Sequence, residues 1–138
     1  MPRFTPHGFV RKQLSLGAIA VAAGTGAQAI VTSLPITSRC TIERFDLIPT
    51  VAATGGGASR VLNVRRGSGS GTVVATGTLL LADLNAIAVP KGYAANTSGA
   101  DFVEGDTLSI QIDSGGTSMT AGTFIVVLTF REMPQRVA

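Results

Sequence analysis

The chain has 138 residues, the size of one domain, and 14% of them are charged, against roughly 25% in an ordinary soluble domain. One cysteine excludes an intrachain disulfide framework, and a surface so poor in charge is expected to be covered in part by neighbouring protein. The net charge of +3 is mild, but Arg3, Arg11 and Lys12 fall within the first twelve residues with no acid among them, so the N-terminal segment is basic and the remainder nearly balanced.

Residues 1–13 are predicted to form an extended basic arm, since Pro2 and Pro6 oppose a helix there. Such an arm suits an acidic protein surface; nucleic acid would call for a denser basic stripe interleaved with aromatic stacking partners. The same region carries a leader-like pattern: a basic start, an apolar stretch over 14–23, and Ala27-Gln28-Ala29 as a small-residue cleavage motif. Ser15 and Gly17 interrupt the apolar stretch, which is also far short of the roughly 20 residues that cross a bilayer. It is therefore read as a first strand following the arm, ending at Gly24-Thr25-Gly26. Residues 14–138 are assigned to a single β-sandwich domain.

A second short strand is predicted over 29–34, closed by Pro35. In 37–48, Cys40 and Ile42 share one face while Phe45 and Leu47 have the opposite parity, so a bulge or sharp twist is expected near Glu43-Arg44. Gly55-Gly56-Gly57 reads as a loop. Residues 60–66 alternate through Val61, Leu62, Asn63 and Val64, a glycine-serine run follows at 67–71, and 72–76 is β-branched: a hairpin with a glycine-rich tip. That tip lacks the Lys-Ser/Thr ending and following helix of a phosphate-cradling loop. Residues 78–88 mix helical spacing with a bare apolar run, leaving a short helix, a turn and an edge strand all open. Pro90-Lys91-Gly92 and Asn96-Thr97-Ser98-Gly99 read as loops.

The last third has the strongest β pattern. Leu108, Ile110 and Ile112 alternate with Ser109 and Gln111, as in a half-exposed strand. Ile125-Val126-Val127-Leu128 lacks alternation, as in a strand buried on both faces. Six to eight strands without a sustained helical period predict an all-β fold, a single β-sandwich of jelly-roll type with an extended N-terminal arm.

Candidate chemistry is sparse. Catalysis draws most often on a His, a Cys or a close carboxylate pair. His7 lies in the arm, Cys40 reads as a small buried apolar residue, and no catalytic or metal-ligating residue is assigned. Asp101, Glu104 and Asp106 have a spacing compatible with a hard cation, yet Glu-Gly-Asp before a strand is also ordinary turn chemistry, the reading taken. No cofactor and no small-molecule substrate are expected, and the chain is read as non-enzymatic. Glu43-Arg44, Asp46 and Arg65-Arg66 are expected to pair across the sheet or across a subunit boundary.

The stretch Val103-Glu104-Gly105-Asp106-Thr107-Leu108-Ser109-Ile110, followed by Gly122-Thr123-Phe124-Ile125-Val126-Val127-Leu128-Thr129-Phe130-Arg131, resembles the closing strand pair of small β-sandwich virion proteins of tailed bacteriophages. These include capsid cement (decoration) proteins and head-fibre bases. The likeness spans about residues 37–131 as an architecture and some thirty residues as a motif. It implies a homotrimeric protein on the virion, bound to the outer capsid surface, with the major capsid protein as partner and no membrane. In that setting the partner-binding residues of the arm are Arg3, Arg11 and Lys12, meeting carboxylates, and Phe4 and Phe9, filling apolar pockets. Two other readings stay open: another virion part (head-fibre base, tail or adaptor protein), and a secreted β-sandwich binding module with an N-terminal signal peptide. Carbohydrate binding by the latter is disfavoured by one Tyr and no Trp, since sugar rings rest on aromatic platforms.

Overall fold

A computed structural model describes residues 10–21, 27–55, 60–67, 70–95, 100–113 and 121–132. Among the described residues nine strands follow in chain order: β1 (Val10–Ala20), β2 (Gln28–Pro35), β3 (Cys40–Thr54), β4 (Arg60–Arg66), β5 (Val73–Leu79), β6 (Lys91–Ala94), β7 (Asp101–Phe102), β8 (Thr107–Ile112) and β9 (Ala121–Glu132). A 3-10 turn, Leu81–Asp83, lies between β5 and β6, the short-helix alternative of the three that the sequence allows over 78–88. The first nine residues of the expected arm and the predicted turn at Gly24-Thr25-Gly26 lie outside the described residues. So do Gly56 and Gly57, the loop at 96–99 and the segment 114–120. The other four residues assigned to the arm, Val10 to Gln13, belong to β1.

The strands form two antiparallel sheets, β1-β9-β3-β6 with β7 also on β3, and β2-β8-β4-β5. The chain crosses between the sheets at most connections, with β4-β5 a hairpin within one sheet, in the manner of the jelly roll, two Greek keys wrapped into one sandwich. The inward side chains come from alternate positions, as the two-residue strand period requires. Phe45, Leu47, Phe124, Val126 and Leu128 of the first sheet meet Leu62, Val64, Leu108, Ile110 and Ile112 of the second in one buried cluster. The register of β3 on β9 shifts between Ile42 and Arg44, so the expected change of parity is a bulge that lets Cys40, Ile42, Phe45 and Leu47 all point inward.

The two long sides of the sandwich differ. Between β5 and β6 it is shut: Ala75 bridges to Ala95, Tyr93 Oη donates to the Thr78 carbonyl at 3.2 Å, and the Tyr93 ring stacks on Phe45 with centroids 4.8 Å apart. Between β1 and β2 the sheets part at one end, leaving a cleft of about 280 Å³ walled by Leu14, Leu34, Ile36, Cys40 and Phe130.

Candidate assembly surface

The outer faces of the two sheets are chemically unlike. On the β2-β8-β4-β5 sheet, Asn63 pairs with Gln111 and Arg65 with Ser109 in the β4–β8 register, and their outward side chains meet at Asp113. Its carboxylate accepts from Asn63 Nδ2, from Gln111 Nε2 at 2.9 Å and from Arg65 Nη2 at 3.2 Å. Arg65 Nη1 also donates to the Gly71 carbonyl at 2.9 Å. Asn63, Gln111 and Arg65 thus share one carboxylate, while Ser109 Oγ is buried without a hydrogen-bond partner among the described residues.

The outer face of the β1-β9-β3 sheet divides along the strands. Cross-strand register aligns Arg11, Arg131 and Thr41, then Gln13, Thr129 and Arg44, then Ser15, Val127 and Asp46. Farther along come Ala18, Ile125 and Ile48, then Ala20, Thr123 and Val51. The first half is charged: the Glu43 carboxylate takes Arg11 at 2.9 Å and Arg131 at 3.8 Å, and Arg44 pairs with Asp46 at 2.5 Å. The second half is apolar. Ile48 and Ile125, with Val127 at the boundary between the halves, are half-buried, and Val51 is 54% exposed. A half-buried apolar sheet face with an ion-paired margin has the layout of a protein interface, an apolar centre with a polar rim.

Of the five residues assigned to partner binding from sequence, Arg3, Phe4 and Phe9 lie outside the described residues. Arg11 and Lys12 sit in β1 and already have partners within the chain: Arg11 on Glu43, and Lys12 on Glu132 at 2.9 Å. The apolar outward residues Ile48, Val51, Ile125 and Val127 are not among the residues that the sequence reading assigns to partner binding. Their signal was present in the unbroken run 125–128, read as buried on both faces. In the fold Val126 and Leu128 are buried while Ile125 and Val127 point outward and remain half-exposed.

The cleft end carries the remaining titratable side chains of note. Burial pushes the Cys40 thiol from 9.0 up to about 11, with the Glu132 charge adding to the effect. Hydrogen bonds from Lys12 and Ser38 hold the Glu132 carboxyl below its usual range. Asp106 accepts the Val103 N–H at 3.0 Å, closing the turn before β8, and Asp101 accepts from Thr41 Oγ1, so both carboxylates serve local structure. Among the described residues no three His, Cys, Asp or Glu side chains converge on a possible metal position. No helix there is long and apolar enough to cross a membrane.

No family model matches the chain, and no curated protein matches its sequence. Among solved structures it is similar to a Bacillus endospore appendage chain, from a family of disulfide-linked pili, at 13% identity and a TM-score of 0.48. That alignment covers 97% of this chain and 98% of the other. It is also similar to a chain of infectious bursal disease virus, Gx strain, at 11% identity and a TM-score of 0.47, covering 94% of this chain and 33% of that one.

Proposed function

We propose that the chain is a structural virion protein, a cement or decoration protein that binds and stabilises the outer surface of a phage capsid. The observation that carries this reading is the asymmetry of the two outer faces. One gathers Asn63, Gln111 and Arg65 around the Asp113 carboxylate, while the other leaves Ile48, Val51, Ile125 and Val127 beside an ion-paired margin. Laid on a shell, the apolar half would supply the desolvated centre of the contact, and Arg11, Glu43, Arg44 and Arg131 would supply its orienting rim. An interface of standard size buries about 1,600 Å² in total. Icosahedral repetition turns a modest contact per copy into a large stabilisation of the particle. The low charged fraction of the whole chain and the resemblance of its closing strand pair to those of small virion β-sandwich proteins support the same reading.

The test is quantitative mass spectrometry of gradient-purified particles, counting this chain against the most abundant shell protein, together with a binding assay of Val127→Glu. A fixed ratio near one copy per shell subunit, with Val127→Glu folded and no longer bound, is the expected result. A ratio of a few per cent would move the chain to a fibre, vertex or tail position. Absence from particles would overturn the virion reading in favour of a secreted module.

A further inference from the structure

Strand β1 is bonded but barely packed. In the sheet order β1-β9-β3-β6 it stands at an edge, paired among the described residues to β9 alone. None of residues 11–20 is buried: Leu16 and Ile19 rest half-buried against the core cluster and the others are exposed. The cleft opens beneath its first half, where Leu14 is 37% exposed. Strand β9, by contrast, sends Phe124, Val126, Leu128 and Phe130 into the core. Hydrophobic burial is the dominant stabilising effect in a fold, and a ladder hydrogen bond adds little net because it replaces bonds to water. Charge supplies the rest of the hold on β1. Arg11 meets Glu43 at 2.9 Å and Lys12 meets Glu132 at 2.9 Å, with the two basic side chains 75% and 59% exposed. Exposed pairs of this kind contribute little and are screened by salt.

The strand can also leave as a unit. Its ladder breaks register between Ser15 and Ala18, with Gly17 at φ +79°, an irregularity that interrupts pairing at mid-strand. Its far end is pinned: Gln28 Nε2 donates to the Ala20 carbonyl at 2.7 Å, and the N–H of buried Val21 donates to the Gly122 carbonyl at 2.9 Å. Val21 is thus a pivot just past the strand. Since β1 is first in chain order among the described strands, its departure disturbs one connection between strands, that to β2. Segments with few buried apolar contacts open locally, at free energies well below that of global unfolding.

An opened β1 leaves behind a surface whose occupant the fold itself displays. The vacated edge of β9, with Glu43 and Glu132 beside it, is complementary to the sequence Val10–Ala20 from the Val10–Glu132 pair to the Ala20–Thr123 pair. Every other copy of the chain carries that same sequence. We propose that β1 is an exchangeable strand: the β1 of one copy adds to the β9 edge of another and supplies the Lys12–Leu14 wall of its cleft. Exchange of an identical element is a low-cost route to association, because both arrangements make the same contacts. A reciprocal exchange closes a dimer, and a one-way exchange runs on into a chain. This inference goes beyond the capsid reading and does not depend on what the outer sheet face binds.

The experiment uses the purified full chain without any particle, so its failure is distinguishable from failure of the capsid reading. Ser15 and Val127 face each other across the β1–β9 ladder. Directly opposite residues of an antiparallel pair have Cα atoms about 4.5–5.5 Å apart, within the span of a disulfide. Ser15→Cys and Val127→Cys are made separately in a Cys40→Ala background and mixed at about 1 mM, the order of the effective concentration of a tethered segment. Mild oxidation should link one of each variant into a mixed dimer, well above the dimers that either variant forms alone. The mixed dimer should form several-fold faster in about 1 M salt, which shortens the Debye length to about 3 Å and weakens the Arg11 and Lys12 pairs. No mixed dimer above the level of the separate variants would overturn the proposal. Native-state hydrogen exchange of the wild-type chain reads the opening step. The β1 amides bonded to β9 should exchange about 100-fold or more faster than those of β3, as a locally opening segment does. Exchange of both strands at one common rate would mean that β1 opens only with the whole fold, and would likewise overturn it.

Discussion

The Tyr93 ring shows how single atoms decide the closed side of the sandwich. It stacks on Phe45 and lies over Gly77, where a Cβ would stand 2.6 Å from the ring. Because the ring is fixed from both sides, Gly77→Ala is expected to destabilise by about 1–3 kcal/mol through overpacking, read from urea midpoints. Gly92 offers the contrast: a Cβ there meets the end of the Arg44 side chain, which is exposed and free to swing aside. Gly92→Ala should therefore cost no more than the Arg44–Asp46 surface pair, about 0–1 kcal/mol. Tyr93 also reports on alkaline stability, since it is the one tyrosine and the chain has no tryptophan. Burial, with the Asp83 charge second, raises its phenol from 10.0 to about 12. Between those values the unfolded chain releases the proton while the folded one keeps it, so Tyr93 leaves stability untouched below pH 10 and lowers it as pH rises toward 12. Cys40, raised from 9.0 to about 11, opens the same decline from pH 9. Phenolate absorbance in the native protein should appear near pH 12; appearance near pH 10 would contradict the packing of the ring.

At the scale of the strands, β9 is the most informative element because it is bonded on both edges, to β1 and to β3. Its two faces predict opposite outcomes for adjacent residues. Val126→Asp buries a carboxylate in the core and is expected to cost about 4 kcal/mol or more, enough to unfold a marginal domain. Val127→Glu points outward and should leave the thermal midpoint within a few degrees. Strand β1 makes a similar distinction along the chain. Val10, Arg11, Lys12 and Gln13 pair with Glu132, Arg131, Phe130 and Thr129, so removing residues 1–13 strips the ladder from the end of β9 and exposes Phe130. That deletion should lower the melting temperature clearly below that of a deletion of residues 1–9, measured side by side by circular dichroism. The two-residue period made much of this legible beforehand. Leu108, Ile110 and Ile112 are inward as their alternation says, and the parity break at Glu43-Arg44 is the bulge. The apolar outward face escaped notice because 125–128 has no polar residue to mark which side meets solvent. That residues 10–13 pair with β9 leaves no local trace in the sequence, because their partners Thr129 to Glu132 lie near the other end of the chain.

At the scale of the molecule, the connectivity constrains how the fold can form. Strands β1 and β9 stand near the two ends of the chain yet pair along almost their whole length, and β9 in turn pairs with β3. The first sheet therefore has no centre until β9 is in place, whereas β4 and β5 form a local hairpin that β8 joins across a shorter span of chain than the one separating β9 from β3. None of this ordering was visible in the strand pattern, which gives the number and faces of strands but not their neighbours. Closing such long loops costs entropy before the contacts repay it, and folds dominated by distant pairings refold in about milliseconds to seconds. A chain truncated after Asp113 lacks the strand that joins β1 to β3 and leaves Phe45 and Leu47 without Phe124, Val126 and Leu128 as neighbours. That truncation is expected to lack cooperative unfolding, with no thermal transition by calorimetry. The full chain should refold within the millisecond-to-second window after dilution from urea. Cooperative melting of the truncated chain would mean that the β2-β8-β4-β5 sheet stabilises itself, and that the first sheet is an addition to the core instead of half of it.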